Sequence, residues 1–160
     1  MKINKAIEEL LNRKGTAHVS TSSKDGLPNT SLKGIVRVDP SGYIYVMDLF
    51  NGKTRHNLEK NNKVSLTISD IEAFRGYQFK GTAKLIKKGR LFEELSERWA
   101  AISARAVTER VIGNIKKGSS HGRHELHLPK PKYLIKIHVS KIYDLCPIWI
   151  RILKPREVTA

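Results

Sequence analysis

Two short polar stretches hold the side chains best suited to grip an anion. Asn51-Gly52-Lys53-Thr54-Arg55-His56-Asn57-Leu58 sets a lysine, a hydroxyl and an arginine just after a glycine, at an expected helix start. Backbone N–H groups at a helix N-terminus, a hydroxyl and fixed positive charges are what a phosphate requires. Taken alone, the same residues also describe Thr54 as an ordinary N-cap beside solvated charges. Pro28-Asn29-Thr30-Ser31 adds three small hydrogen-bonding side chains at the start of a strand. A strand placed there can pair beside the one leading into the Lys53 loop, so that both clusters converge on one anion.

Other chemistries find less support. Carboxylates are sparse in both clusters, and no Ser-His-Asp, Cys-His or Walker-type arrangement occurs. His121, His124 and His127 are spaced by three but fall in a Gly/Ser/Pro-rich segment without the pre-ordered geometry that a metal demands, so no metal is expected. His18 lies within a strand pattern and reads as a structural hydrogen-bonding group. Cys146 is the lone cysteine, which excludes an internal disulfide and agrees with a reducing cytoplasm. With no protein acid–base set in view, the chemistry must come from a cofactor.

The elements that position these stretches follow from periodicity. Ile3 to Lys14 forms an amphipathic helix with Ile3, Ala6, Ile7, Leu10 and Leu11 on one face, stopped by Gly15. Thr16–Thr21 alternates as a strand, and Lys24-Asp25-Gly26 turns it into Leu27. The next strand sets Leu32, Gly34, Val36 and Val38 on one side and Ser31, Lys33, Ile35 and Arg37 on the other. Asp39-Pro40-Ser41-Gly42 supplies turn chemistry before Tyr43–Phe50. A short helix follows, then a strand over 63–69, a loop from Ser69 to Arg75, and a long strand over 76–86. Gly81 marks a bulge or a close backbone approach in that strand.

Four or five antiparallel strands in this order argue for a small barrel rather than a parallel sheet. Residues 91–115 read as a helical insertion in two segments, with Trp99 as a core anchor. Residues 116–132 read as a flexible loop, and Tyr133–Tyr143 as the last strand. All 160 residues belong to a single domain.

The ordered set "GTAHVSTSSKDGLPNTSLKG…GYIYVMDLFNGKTRHNLEKNNKVSLTI…GYQFKGTAKLI" resembles the pyridoxamine 5′-phosphate oxidase-like FMN-binding split barrels, and especially their small FMN-binding branch. The resemblance covers about Ile3 to Phe92. It implies a mainly β fold with flanking α-helices, an antiparallel split β-barrel, and FMN as cofactor at the interface of a homodimer. Carried over residue by residue, it places Asn29, Thr30 and Ser31 along the phosphate and ribityl chain. Lys53 and Thr54 fall on the phosphate-binding pair, with Arg55 and Asn57 beside them. Met47 and Asp48 fall where backbone runs along the isoalloxazine ring. Two departures stand out. Asn29-Thr30-Ser31 occupies the place of an arginine-rich strand, and the C-terminal stretch around Trp149 and Arg151 does not match the family's pocket-closing segment. The expectation is therefore flavin redox or electron transfer with an unassigned substrate rather than vitamin B6 oxidation.

The net charge of +15 is concentrated in the second half: 12 basic residues stand against 8 acidic in 1–79, and 18 against 7 in 80–160. A basic nucleic-acid-binding barrel, or a non-catalytic flavin or haem carrier, are the alternatives. Without a recognisable nucleic-acid motif, only weak electrostatic association with nucleic acid is expected. Glu8 and Glu9 interrupt any apolar leader and no run is long enough to span a bilayer, so a cytoplasmic protein without a membrane anchor is expected.

Overall fold

A computed structural model describes residues 1–116 and 130–147, with backbone alone at 114–116. His121, His124 and His127, for which no metal is expected, and the Trp149 segment lie outside these residues. Helix α1 (Lys5–Lys14) starts where the Asn4 side chain accepts the Ile7 N–H at 2.9 Å, and Gly15 closes it in the left-handed conformation. Ile3, Ile7, Leu10 and Leu11 are buried, whereas Ala6 faces solvent, one position off the expected face.

Six strands follow: β1 (Thr16–Ser22), β2 (Pro28–Asp39), β3 (Tyr43–Asp48), β4 (Lys63–Asp70), β5 (Arg75–Ile86) and β6 (Tyr133–Asp144). They close into an antiparallel barrel in the order β1-β2-β3-β6-β5-β4. Closure pairs each described strand on both sides. Val19, Ile44, Val46, Leu66, Phe79, Ile135 and Ile137 fill the interior, and α1 packs onto the same core. The chain is thus mainly β with flanking helices, the fold that the sequence implies.

Helix α3 (Arg90–Lys116) is one continuous helix, not two segments. Its first half lies on the outer wall: Leu91, Phe92, Leu95 and Trp99 cover Val36 of β2, Tyr45 and Met47 of β3, and Leu134 of β6. Trp99 sits so close to Gly34 that a Cβ there would fall 2.0 Å from its ring. Gly34 is the notch that seats the helix.

Two bulges shape the barrel. The β2–β3 register shifts between Ile35 and Arg37, so Ile35 and Val38 point inward while Val36 lies under α3. This corrects the simple alternation, which grouped Val36 with Val38, because one extra residue flips the pattern. The second shift, between Lys80 and Gly81, brings Gly81 against β6, where a Cβ would meet the His138 carbonyl oxygen at 1.9 Å. Both readings of Gly81, bulge and close approach, hold. The expected loop at Ser69–Arg75 is shorter, because β4 runs to Asp70 and β5 starts at Arg75. No helix among the described residues is long and apolar enough to cross a membrane.

Candidate functional site

Helix α2 (Lys53–Lys60) bridges the end of β3 to β4 and brings the two polar clusters together. Its N-cap is Gly52, which offers no side-chain hydrogen bond to the first turn. The helix therefore starts earlier than a Thr54 cap requires, and the capping reading of Thr54 is corrected. Thr54 instead turns inward and is buried. Its Oγ1 meets Ser31 Oγ at 2.8 Å and accepts from Asn29 Nδ2 at 3.3 Å. Asn57, also buried, donates to Thr21 Oγ1 at 3.1 Å and so ties α2 to β1.

Strand alternation decides which predicted residues meet. Asn29 and Ser31 share the face that looks toward α2, whereas Thr30 points outward and bonds Ser20 Oγ at 2.9 Å. Lys53 is exposed at the helix start, and among the described residues it has no carboxylate partner. Arg55 donates along the helix to Glu59 at 2.8 Å. Met47 buries its side chain beneath α3. Seven of these residues thus surround one end of the barrel, while the side chains of Thr30 and Met47 lie elsewhere.

Asp48 holds a position that the strand pattern alone did not foretell. The carboxylate is fully buried, yet Oδ2 lies 2.6 Å from Lys33 Nζ and accepts the Tyr133 hydroxyl at 2.5 Å. Its Oδ1 accepts the Phe50 N–H at 2.9 Å, and its backbone carbonyl takes the Lys132 N–H at 2.9 Å. A buried carboxylate needs such company, since desolvation otherwise costs more than the charge returns. The network fixes the loop that leads into α2. Burial first, and the hydrogen bond to the Asp48 carboxylate second, push the Tyr133 phenol well above its ordinary range. Lys33 and Tyr133 were missed as site residues. A lysine two positions after Ser31 on the same strand face was the available signal; nothing local marks Tyr133.

An uncapped helix start, two hydroxyls, a carboxamide and an ammonium make an anion-binding set that is neutral except for its lysine. No carboxylate, imidazole or thiol belongs to this set, and no cluster of metal ligands exists among the described residues. Binding and orientation are what this arrangement can do.

Comparison with known proteins agrees with the fold and the family resemblance. The sequence model of the pyridoxamine 5′-phosphate oxidase family matches residues 3–146, and this chain belongs to that family. An uncharacterized protein of Methanocaldococcus jannaschii is 31% identical over 129 residues, covering 79% of this chain and 70% of that protein. The crystal structure of HupZ from Group A Streptococcus superposes with a TM-score of 0.67 at 26% identity, covering 90% of this chain and 94% of that one. An FMN-binding protein from Syntrophomonas wolfei shares the fold, with a TM-score of 0.60 at 14% identity over 88% of this chain and 84% of that one.

Proposed function

We propose that this chain is a flavoprotein of redox type that holds FMN between two copies of itself. One observation carries the reading: Asn29 and Ser31 converge on Thr54 at an uncapped helix start, with Lys53 beside it. The donor set fits a phosphomonoester. The N–H groups of the first α2 turn, the Ser31 and Thr54 hydroxyls and the Lys53 ammonium would hold the phosphate, and Asn29 the chain next to it. Asp48, through Phe50 N–H, keeps the loop ahead of α2 in place for that purpose. The bound flavin would supply the electron-accepting and electron-donating chemistry that the side chains lack. The family of the chain, and an FMN-binding protein of the same fold, support this choice of ligand.

The reading of a second copy is supported by what the site leaves uncovered. Leu32 is 60% exposed on β2 and Phe50 65% exposed just ahead of α2, on the two segments that carry the site. Exposed apolar side chains on both of these segments support a covering partner there, and two-fold pairing is the commonest oligomer. Titration of FMN and of riboflavin by fluorescence quenching tests the ligand. FMN is expected to bind much more tightly, and equal affinity would refute a phosphate-directed site. Light scattering of the FMN-loaded protein should give a dimer mass; a monomer with FMN retained refutes the two-copy arrangement.

A further inference from the structure

The opposite face of β1 carries a second feature that the FMN reading does not use. Thr21 bonds Asn57, whereas Ser20 points outward; together with Ser22 they form the β1 side of a groove of about 490 Å³ across β1, β4, β5 and β6. Strand register builds its floor. Ser20 pairs with Ser65, Ser65 with Lys80, and Lys80 with Lys141, so two hydroxyls and two ammonium groups form one row across four strands. Neighbouring strands lie about 4.8 Å apart, so adjacent members of the row can touch one small ligand. Lys63 adds a third cation at the side, and among the described residues no carboxylate lines the groove.

Like charges directly opposite each other on a sheet repel. Here Lys80 and Lys141 are direct partners, and among the described residues none of Lys63, Lys80 and Lys141 has an acidic neighbour in ion-pair range. Lys80 is held rather than loose: its Nζ lies 5.0 Å from the centre of the Tyr143 ring, and its carbonyl accepts Ser140 Oγ at 3.0 Å. Ser65 Oγ, between Ser20 and Lys80 in the row, has no hydrogen-bond partner among the described residues. Two mutually repelling ammonium groups without a carboxylate partner are an arrangement that a bound anion completes.

We propose that this row is a second anion site, on the outer wall of the barrel, for a ligand with two adjacent phosphate groups. Two phosphates match two neighbouring lysines, with the Ser20 and Ser65 hydroxyls beyond them. The site is separate from the Thr54 cluster and stands whether or not that cluster binds FMN.

Calorimetric titration of inorganic pyrophosphate into the full chain, FMN-free and FMN-saturated, tests it. One pyrophosphate per chain is expected in the FMN-saturated form, where FMN fills the α2 set, and the same groove site is expected to persist in the FMN-free form. The Lys80→Gln/Lys141→Gln pair should weaken pyrophosphate by at least about tenfold, as loss of charge-assisted contacts implies, and leave FMN affinity unchanged. The Lys80→Arg/Lys141→Arg pair should retain it, and each single glutamine variant should show part of the loss should the double one fold poorly. Loss of pyrophosphate binding in Lys53→Ala instead would move the anion to α2 and overturn the proposal. An equal loss on substituting the remote Lys5 would reduce it to diffuse charge. Binding of single-stranded oligonucleotide with pyrophosphate inert would make the groove a nucleic-acid surface and refute the diphosphate ligand.

Discussion

Lys33 Nζ and Asp48 Oδ2 lie 2.6 Å apart in the interior end of the barrel, with the Tyr133 hydroxyl on the same oxygen. The pair joins β2 to β3, and Tyr133 joins both to β6. Because Asp48 also accepts the Phe50 N–H, the ion pair and the loop into α2 form one unit.

That unit can be broken in graded steps. Lys33→Ala leaves a buried carboxylate without its cation and should cost about 3–5 kcal/mol. Tyr133→Phe removes one hydrogen bond and should cost about 1–3 kcal/mol. The Lys33→Met/Asp48→Asn pair removes both charges together and should be milder than Lys33→Ala. Urea unfolding of the three variants orders them, and a Lys33→Ala protein as stable as the parent refutes the buried pair.

Much of this was legible in the sequence, and the limits are physical. Short-range patterns carried far. The six strands, the first two helices, the glycine at position 81 and the convergence of the two polar clusters follow from periodicity and turn chemistry, whereas the long helix was read as two segments and is one. What failed depends on register or distance. The bulge between Ile35 and Arg37 moves Val36 to the helix side, and no residue in that run announces it. Tyr133 reaches Asp48 across 85 positions of sequence, so only closure of the barrel reveals the contact. Thr30 was grouped with its neighbours by composition, while pleat geometry sends it to Ser20.

The two close-approach glycines should respond differently to added bulk. At Gly34 the obstacle is the Trp99 ring, a side chain. Gly34→Ala should cost about 1–3 kcal/mol, and Trp99→Leu in the same chain should recover part of it. At Gly81 the obstacle is the His138 carbonyl of the neighbouring strand. No side-chain change can clear it, so Gly81→Ala should be the more damaging and have no rescue. Thermal unfolding of the variants checks the order; equal losses at both glycines would contradict it.

Acid should loosen the contact between α1 and the β4–β5 hairpin. Arg13 Nη2 lies 2.7 Å and Lys14 Nζ 3.2 Å from the Asp70 carboxylate. The Lys14 contact first, with the Ala73 N–H and the Arg13 charge adding to it, holds the Asp70 carboxyl below its ordinary value. A depressed carboxyl contributes stability that is full above the unfolded value of about 3.9 and fades as pH falls through the folded one. The melting temperature should therefore drop more steeply below about pH 4 in the parent than in Asp70→Asn. Parallel slopes in the two proteins would show that Asp70 is not linked to folding.

The sharpest test of the FMN site rests on Lys53. It is exposed, carries no carboxylate partner among the described residues and contributes nothing to either apolar cluster. Lys53→Ala should leave the unfolding midpoint where it was. FMN affinity should fall by about 1–3 kcal/mol, the loss expected for one charge-assisted hydrogen bond to phosphate. Riboflavin should be nearly indifferent, having no phosphate for the lysine to hold. Lys141→Gln, on the far wall of the barrel, controls for general loss of positive charge and should leave FMN affinity intact. Were both lysines to weaken FMN equally, the attraction would be diffuse and the convergence of Asn29, Ser31 and Thr54 would be a packing feature only. Thr54→Val separates these cases further: it keeps the volume, removes the hydroxyl that meets Ser31 and Asn29, and should lower FMN affinity together with stability. A Thr54→Val protein that loses stability alone would assign the hydroxyl to the fold and leave the phosphate to Lys53 and the helix start.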